Sequence, residues 1–202
     1  MPSSRSSRRR TGGREAGEAN DSSPSIVGID VKNMRSALDW LLAPPLTAPR
    51  SVVLARVMAG GVFLWEGVLK FVYTNQGVGR FTKLGLPWPE LTATFIADLE
   101  ISGGLLLLFG LLTRPIALLF IAEMFVAILT TKVALYAGTS PLPLPPAPPK
   151  VGWWAVLHEG RSEWAQLLTS AFLVAAGPGP LSLDAAWVGW RRRGEPEQAR
   201  PT

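Results

Sequence analysis

Residues 51–73 read SVVLARVMAGGVFLWEGVLKFVY, and this stretch decides the fold. Its 23 residues are mostly apolar, long enough to cross a hydrocarbon layer of about 30 Å as a helix. Arg56, Glu66 and Lys70 lie inside it, and charge at that depth is costly unless it faces protein or water. At about 100° per residue, Lys70 falls roughly 40° from Arg56 and Glu66 roughly 80° from it. The three share one face. Ala59, Gly60 and Gly67 lie on or near the same arc, so a second helix can come close there. The stretch predicts a membrane helix whose polar, small-residue face turns into a bundle.

Composition agrees. Of 202 residues, 48% are hydrophobic and 17% charged, low for a water-soluble domain, and the apolar residues come in long runs. The chain has no cysteine, so it cannot carry a disulfide, a thiol nucleophile or a cysteine-held iron–sulfur cluster. It has one histidine, His158, so neither a bis-histidine haem nor an all-histidine metal site can form within it. No metal site is expected. The net charge of +5 is concentrated at the two ends. That is the pattern of membrane topology, and no nucleic-acid partner is expected.

Residues 1–33 read as a disordered basic tail, with five arginines between Arg5 and Arg14 and almost nothing apolar up to residue 25. No apolar run follows closely enough for a signal peptide. Met34 opens a more ordinary beginning, so this tail can also be read as an over-extended start. Residues 34–50 suggest a short interfacial segment ended by Pro44-Pro45. Further spans are expected at about 91–112, 115–137 and 163–178. Gly- and Pro-marked loops fall at 74–90 and 138–162, the second with a stiff proline-rich connector. Ser182 suits a helix N-cap, and residues 191–202 form a basic tail. The expected domain, 34–190, is therefore an all-α integral membrane four-helix bundle. Basic residues at both ends place both termini in the cytoplasm, with the lipid bilayer of the inner membrane around the helices.

In this topology the outer half of the bundle collects Glu66, Lys70, Glu100 and Lys132, with His158, Glu159, Arg161 and Glu163 near its surface. Glu66 and Glu100 are the candidate proton-exchanging carboxylates. Lys70, His158 and Arg161 are candidates to bind a substrate. Arg56 and Glu123 both fall in the inner half and are expected to form a structural ion pair. Charges inside a bundle can also do nothing more than pair and fix which helix meets which.

Several pieces, in order, resemble the DoxX family of small four-helix membrane proteins: Arg56 with WEGVLKF at 65–71, LEISGGLLLLFGLLTR at 99–114 and GPGPLSLD at 177–184. GVGRFTKLGLP at 77–87 and WAVLHEGRSEWAQLL at 154–168 resemble a subgroup with a longer outer loop. The resemblance spans about residues 36–188. It carries Arg56, Glu66, Gly67, Lys70, Glu100, Gly104, Gly177, Gly179, Ser182 and Asp184 onto the family pattern. It implies kinship with DoxD, a subunit of thiosulfate:quinone oxidoreductase, and association with membrane redox systems. The expected function is thus a membrane subunit or accessory of a quinone-linked oxidoreductase system. No cofactor is held on the chain itself; a quinone would be the exchangeable one, and a soluble or membrane redox protein the partner. A homo-oligomer is compatible with so small a bundle. The competing readings are a non-enzymatic scaffold, whose function would depend on loops and tails, and a small permease.

Overall fold

The computed structural model describes residues 31–42 and 47–193. The basic tail to residue 30, the Pro44-Pro45 stop and the chain beyond 193 lie outside the described residues. Among those described there are eight helices and no strand. They are α1 (Val31–Leu42), α2 (Val52–Val72), α3 (Val78–Lys83), α4 (Pro89–Phe109), α5 (Thr113–Ala137), α6 (Gly152–Glu159), α7 (Arg161–Ala176) and α8 (Leu183–Arg193).

Three of these, α2, α4 and α5, are long and apolar enough to cross a membrane. Only 33% of the most apolar window of α2 and of α4, and 28% of that of α5, is buried inside the protein. The remainder is largely apolar surface, including Leu54, Phe71, Phe95, Phe109, Phe125 and Val133, which needs lipid or a partner rather than water. The span expected at 163–178 becomes α7, whose 16 residues rise only about 24 Å. The loops expected at 74–90 and 138–162 contain the short helices α3 and α6.

Antiparallel α2 and α4 form the closest pair, and α5 and α7 the next. The first pair is close because its crossing has no side chains. A Cβ on Gly60 would stand 2.7 Å from the Gly104 carbonyl oxygen, and one on Gly104 would stand 2.7 Å from that of Gly60. A shared apolar core joins the two pairs: Val52, Ala59 and Phe63 of α2, Leu107 of α4, Ile116, Ala117, Phe120 and Met124 of α5, and Leu173 of α7. At its middle the rings of Phe63 and Phe120 stack, centroids 3.6 Å apart and planes within 12°.

One end of the molecule is tied by arginines. Arg56 donates from Nε to the Leu107 carbonyl at 3.1 Å and from Nη2 to Leu108 at 3.0 Å. Its Nη1 reaches Pro178 at 2.9 Å and Leu181 at 2.6 Å. Arg114 donates to the carbonyls of Val174, Ala175 and Trp40, with its guanidinium 4.1 Å from the centre of the Trp40 ring. Asp184 caps α5, accepting from Leu112 N at 3.0 Å and from Thr113 N and Oγ1, each at 3.2 Å. Ser182 caps α8 as expected, its Oγ accepting from Ala185 N at 3.1 Å. The GPGPLSLD stretch is thus a set of carbonyls and caps that locks the α7–α8 turn onto the α4–α5 hairpin. Gly110 closes that hairpin at φ +66, a left-handed conformation, and a Cβ there would also strike the Arg56 guanidinium.

Candidate functional site

The expected ion pair between Arg56 and Glu123 does not form. Arg56 gives its donors to backbone carbonyls near the start of α2, while Glu123 sits ten residues into α5, about 15 Å further along the helix axis. Glu123 instead faces Glu100. The two carboxyls meet side chain to side chain, and Lys70 Nζ donates to Glu100 Oε2 at 2.5 Å.

Local sequence builds this cluster. Gly67 lies flush against α4, where a Cβ would come within 2.8 Å of the Ala97 carbonyl oxygen and 2.9 Å of Glu100 Cβ. That contact lets Lys70, one turn on, lay its stem along α4 and reach Glu100. Glu100 is only 2% exposed. On the same face of α4, Gly103 leaves room for the Phe120 ring, which a Cβ there would approach to 2.7 Å. The aromatic stack therefore stands one turn from the carboxyls, on the side of the arginine end. One ammonium faces two carboxyls, so the cluster holds one carboxyl more than Lys70 can neutralise.

Glu66, expected on the buried face with Arg56 and Lys70, is exposed. The buried arc of α2 runs through Arg56, Ala59, Gly60, Phe63 and Gly67, and Glu66 lies at its flank. Its charge is still felt at Glu100. His158 and Arg161 stand at the loop end and bond to each other, and His158 also to Glu159. Arg161 Nη1 lies 3.1 Å from His158 Nδ1 and donates to the His158 carbonyl, and His158 Nδ1 lies 3.0 Å from Glu159 Oε1. Lys132, below them, pairs with Glu163 at 2.8 Å and donates to the Glu159 carbonyl at 2.8 Å, tying α5 to α6 and α7.

Two buried residues escaped the sequence reading: Gln166, 5% exposed, and Ser170, 0% exposed. They share the buried face of α7 with Leu173. The signal was present, since polar residues four apart within a short apolar helix repeat at helical spacing. Gln166 Oε1, Ser170 Oγ and Glu123 Oε2 are buried and without a hydrogen-bond partner. Native interiors rarely leave such oxygens unsatisfied. Among the described residues no group of histidines, cysteines and carboxylates could hold a metal ion.

A second feature lies between α2 and α7. An open groove of about 350 Å³ is lined by Leu54, Ala55, Met58, Leu168, Thr169 and Phe172, almost wholly apolar.

Comparison with known proteins gives the chain relatives. The DoxX family profile matches residues 51–133. The "Uncharacterized membrane protein Rv3486" of Mycobacterium tuberculosis is 40% identical over 154 residues, 74% of this chain and 88% of that protein. "Putative oxidoreductase CatD" of Bacillus subtilis is 37% identical over 81 residues, 40% of this chain and 59% of that protein. "Inner membrane protein YphA" of Escherichia coli is 32% identical over 73 residues, 36% of this chain and 52% of that protein. No solved structure matches the chain.

Proposed function

The chain belongs to the DoxX family, and on that premise we propose that it is a membrane subunit or accessory of a quinone-linked oxidoreductase system. The observation that carries this reading is the buried Lys70–Glu100–Glu123 cluster, two carboxyls and one ammonium inside membrane-crossing helices. Ionisable groups held at that depth are costly, and those that do not serve as structural ties are the first candidates for function. The printed name of the Bacillus relative, "Putative oxidoreductase CatD", lends further support.

The residues suit a quinone in kind. The apolar groove between α2 and α7 has the character of a site for an isoprenoid tail, and Lys70 and Glu100 offer a donor and an acceptor towards the loop end. A bound quinol would supply electrons and protons to the system. In this reading Glu100 takes up a proton, Glu123 receives or returns it across their shared contact, and Lys70 holds the charge that remains. Glu66, at the exposed flank, passes protons between the pair and the loop side. The electrons go to a partner protein, since the chain has no cysteine and a single histidine. In the membrane, α7 makes the fourth crossing with help from the segments that flank it. Both termini face the cytoplasm, because Arg8–Arg10 and Arg191–Arg193 then lie on the positive side.

Purification of the native protein in mild detergent, with mass spectrometry of what accompanies it, tests the reading. A bound quinone, or a redox enzyme in fixed ratio, is the expected result. Once turnover is assayed, Glu100→Gln should abolish it while the protein still inserts. The chain arriving alone with ordinary lipid, or unchanged turnover in that variant, would turn the assignment to a scaffold or permease.

A further inference from the structure

Two helices at the arginine end of the molecule carry apolar faces that the bundle does not cover. α1 is held through Trp40: Arg114 Nη1 donates to its carbonyl at 2.6 Å, and the guanidinium lies 4.1 Å from the centre of its ring. Met34, Leu38 and Leu42 lie within about 80° of one another on α1 and at least about 120° from Trp40, and all three are exposed. α8 repeats the arrangement. Buried Asp184 caps α5 from one side of it, while Leu183, Trp187 and Trp190 share another side within about 60° and are exposed. The rings of Trp187 and Trp190 stand 5.7 Å apart.

Both helices are pinned at the first turn of α5, one through Arg114 and the other through Leu112 and Thr113. That is the end of a membrane-crossing helix, where hydrocarbon gives way to headgroups. A helix with one apolar side lies in that plane with this side towards the acyl chains, and tryptophan favours the same level.

Charge then selects the headgroup. The stretches that build this end, residues 31–56, 108–118 and 174–193, hold eight lysines and arginines against two aspartates. Residues 57–107 and 119–173 hold six lysines and arginines against seven aspartates and glutamates. Arg56 and Arg114 are committed to carbonyls, but Arg35 and Arg50 are exposed, and α8 ends in Arg191–Arg193. A cationic surplus beside apolar stripes at headgroup level matches a lipid with a net negative phosphate. We propose that α1 and α8 form a collar that binds acidic phospholipid at the arginine end. The apolar stripes meet the acyl chains, and the basic residues of this end meet the headgroup phosphates. One lipid supplies both, whereas a protein partner would have to draw the stripes out of the hydrocarbon. The collar needs neither a quinone nor redox turnover, so it and the proposed function can fail separately.

The test uses the full chain purified in detergent and melted in mixed micelles with phosphatidylglycerol or with phosphatidylcholine of the same acyl chains. Phosphatidylglycerol should give the higher melting midpoint, by an increment that grows with its concentration and shrinks as salt is added. Native mass spectrometry should find it retained in preference to phosphatidylcholine. Each basic residue near an acidic surface strengthens binding about fivefold. The combined variant Arg35→Gln, Arg50→Gln, Arg191→Gln, Arg192→Gln and Arg193→Gln should therefore lose the preference while melting like the wild type in phosphatidylcholine. Arg80→Gln with Lys83→Gln, at the loop end, should keep it. Equal melting and equal retention of the two lipids by the wild type would overturn the collar, as would a preference indifferent to salt. A loss in the loop-end variant as large as in the arginine variant would overturn it too. A protein held in fixed ratio through the five arginines, with no lipid preference, would give the surface to that partner instead.

Discussion

Arg56 is 3% exposed inside a membrane-crossing helix, with four backbone carbonyls around its guanidinium and Asp184 near enough for its charge to be felt. Only a planar fork serves carbonyls from α4 and from the 178–181 segment at once. Lysine keeps the charge but not the fork. Arg56→Lys should therefore destabilise the fold by about 3 kcal/mol, through lost charge-assisted bonds and stranded carbonyls. Unfolding of the purified variant by denaturant in detergent measures it, and wild-type stability would show the fork to be dispensable. Asp184 works on the same joint. It satisfies amides at the start of α5 and sets a negative charge against that helix's positive end. Asp184→Ala should cost about 2 kcal/mol and Asp184→Asn about half of that, since asparagine keeps one acceptor but not the charge. Equal losses in the two variants would mean that the acceptor kept by asparagine does nothing and that the whole effect rests on the charge. These residues carry much of the family resemblance, and their geometry is that of a lock.

At the scale of elements, two adjacent glycines in α2 have opposite surroundings. Gly60 meets the backbone of α4, whereas a Cβ on Gly61 would have nothing within 4 Å. Alanine at 61 relieves the cost of glycine in a helix without meeting a neighbour, so Gly61→Ala should stabilise by about 0.5–1 kcal/mol. Gly60→Ala must push α2 and α4 apart, since a carbonyl oxygen of the backbone cannot swing aside. It should destabilise by more than Gly61→Ala gains, and should also loosen Lys70 from Glu100 by moving their helices. Thermal melts of the pair decide this, and equal shifts would refute the close crossing. The small residues of SVVLARVMAGGVFLWEGVLKFVY announced such a crossing, because glycine spacing along one arc is a property of the helix itself. The lie of Glu66 was harder to read. Its angle from Arg56 was known, but the edge of the buried face is set by where α7 comes to rest. Likewise Arg56 and Glu123 were matched by sign and approximate depth, while the carbonyls that satisfy Arg56 come from chain ends and a turn, which no charge pattern announces.

At the scale of the whole molecule, long apolar runs made the three longest helices legible from sequence. They did not fix what α7 does, because a helix of 16 residues is shorter than the hydrocarbon layer it would have to cross. Its packing argues for a crossing. One flank of α7 lies along α5 from Lys132 to Arg114, which is most of the length of that membrane-crossing helix, and another contacts α2. A helix anchored near both ends of a partner that crosses is expected to cross with it, and labelling tests this. The residues after it then lie on the side opposite to the 74–77 turn. The chain suits a direct test, because it has no native cysteine to remove. Asn75→Cys would report the turn after α2, where the residue is exposed. Gly189→Cys would report the segment beyond α7, where a Cβ meets open space. In sealed vesicles of one orientation, a membrane-impermeant thiol reagent should label one of these cysteines and not the other, and opening the vesicles should expose the second. Labelling of both before opening would put the two segments on one side. In that case α7 would lie in the membrane without crossing it.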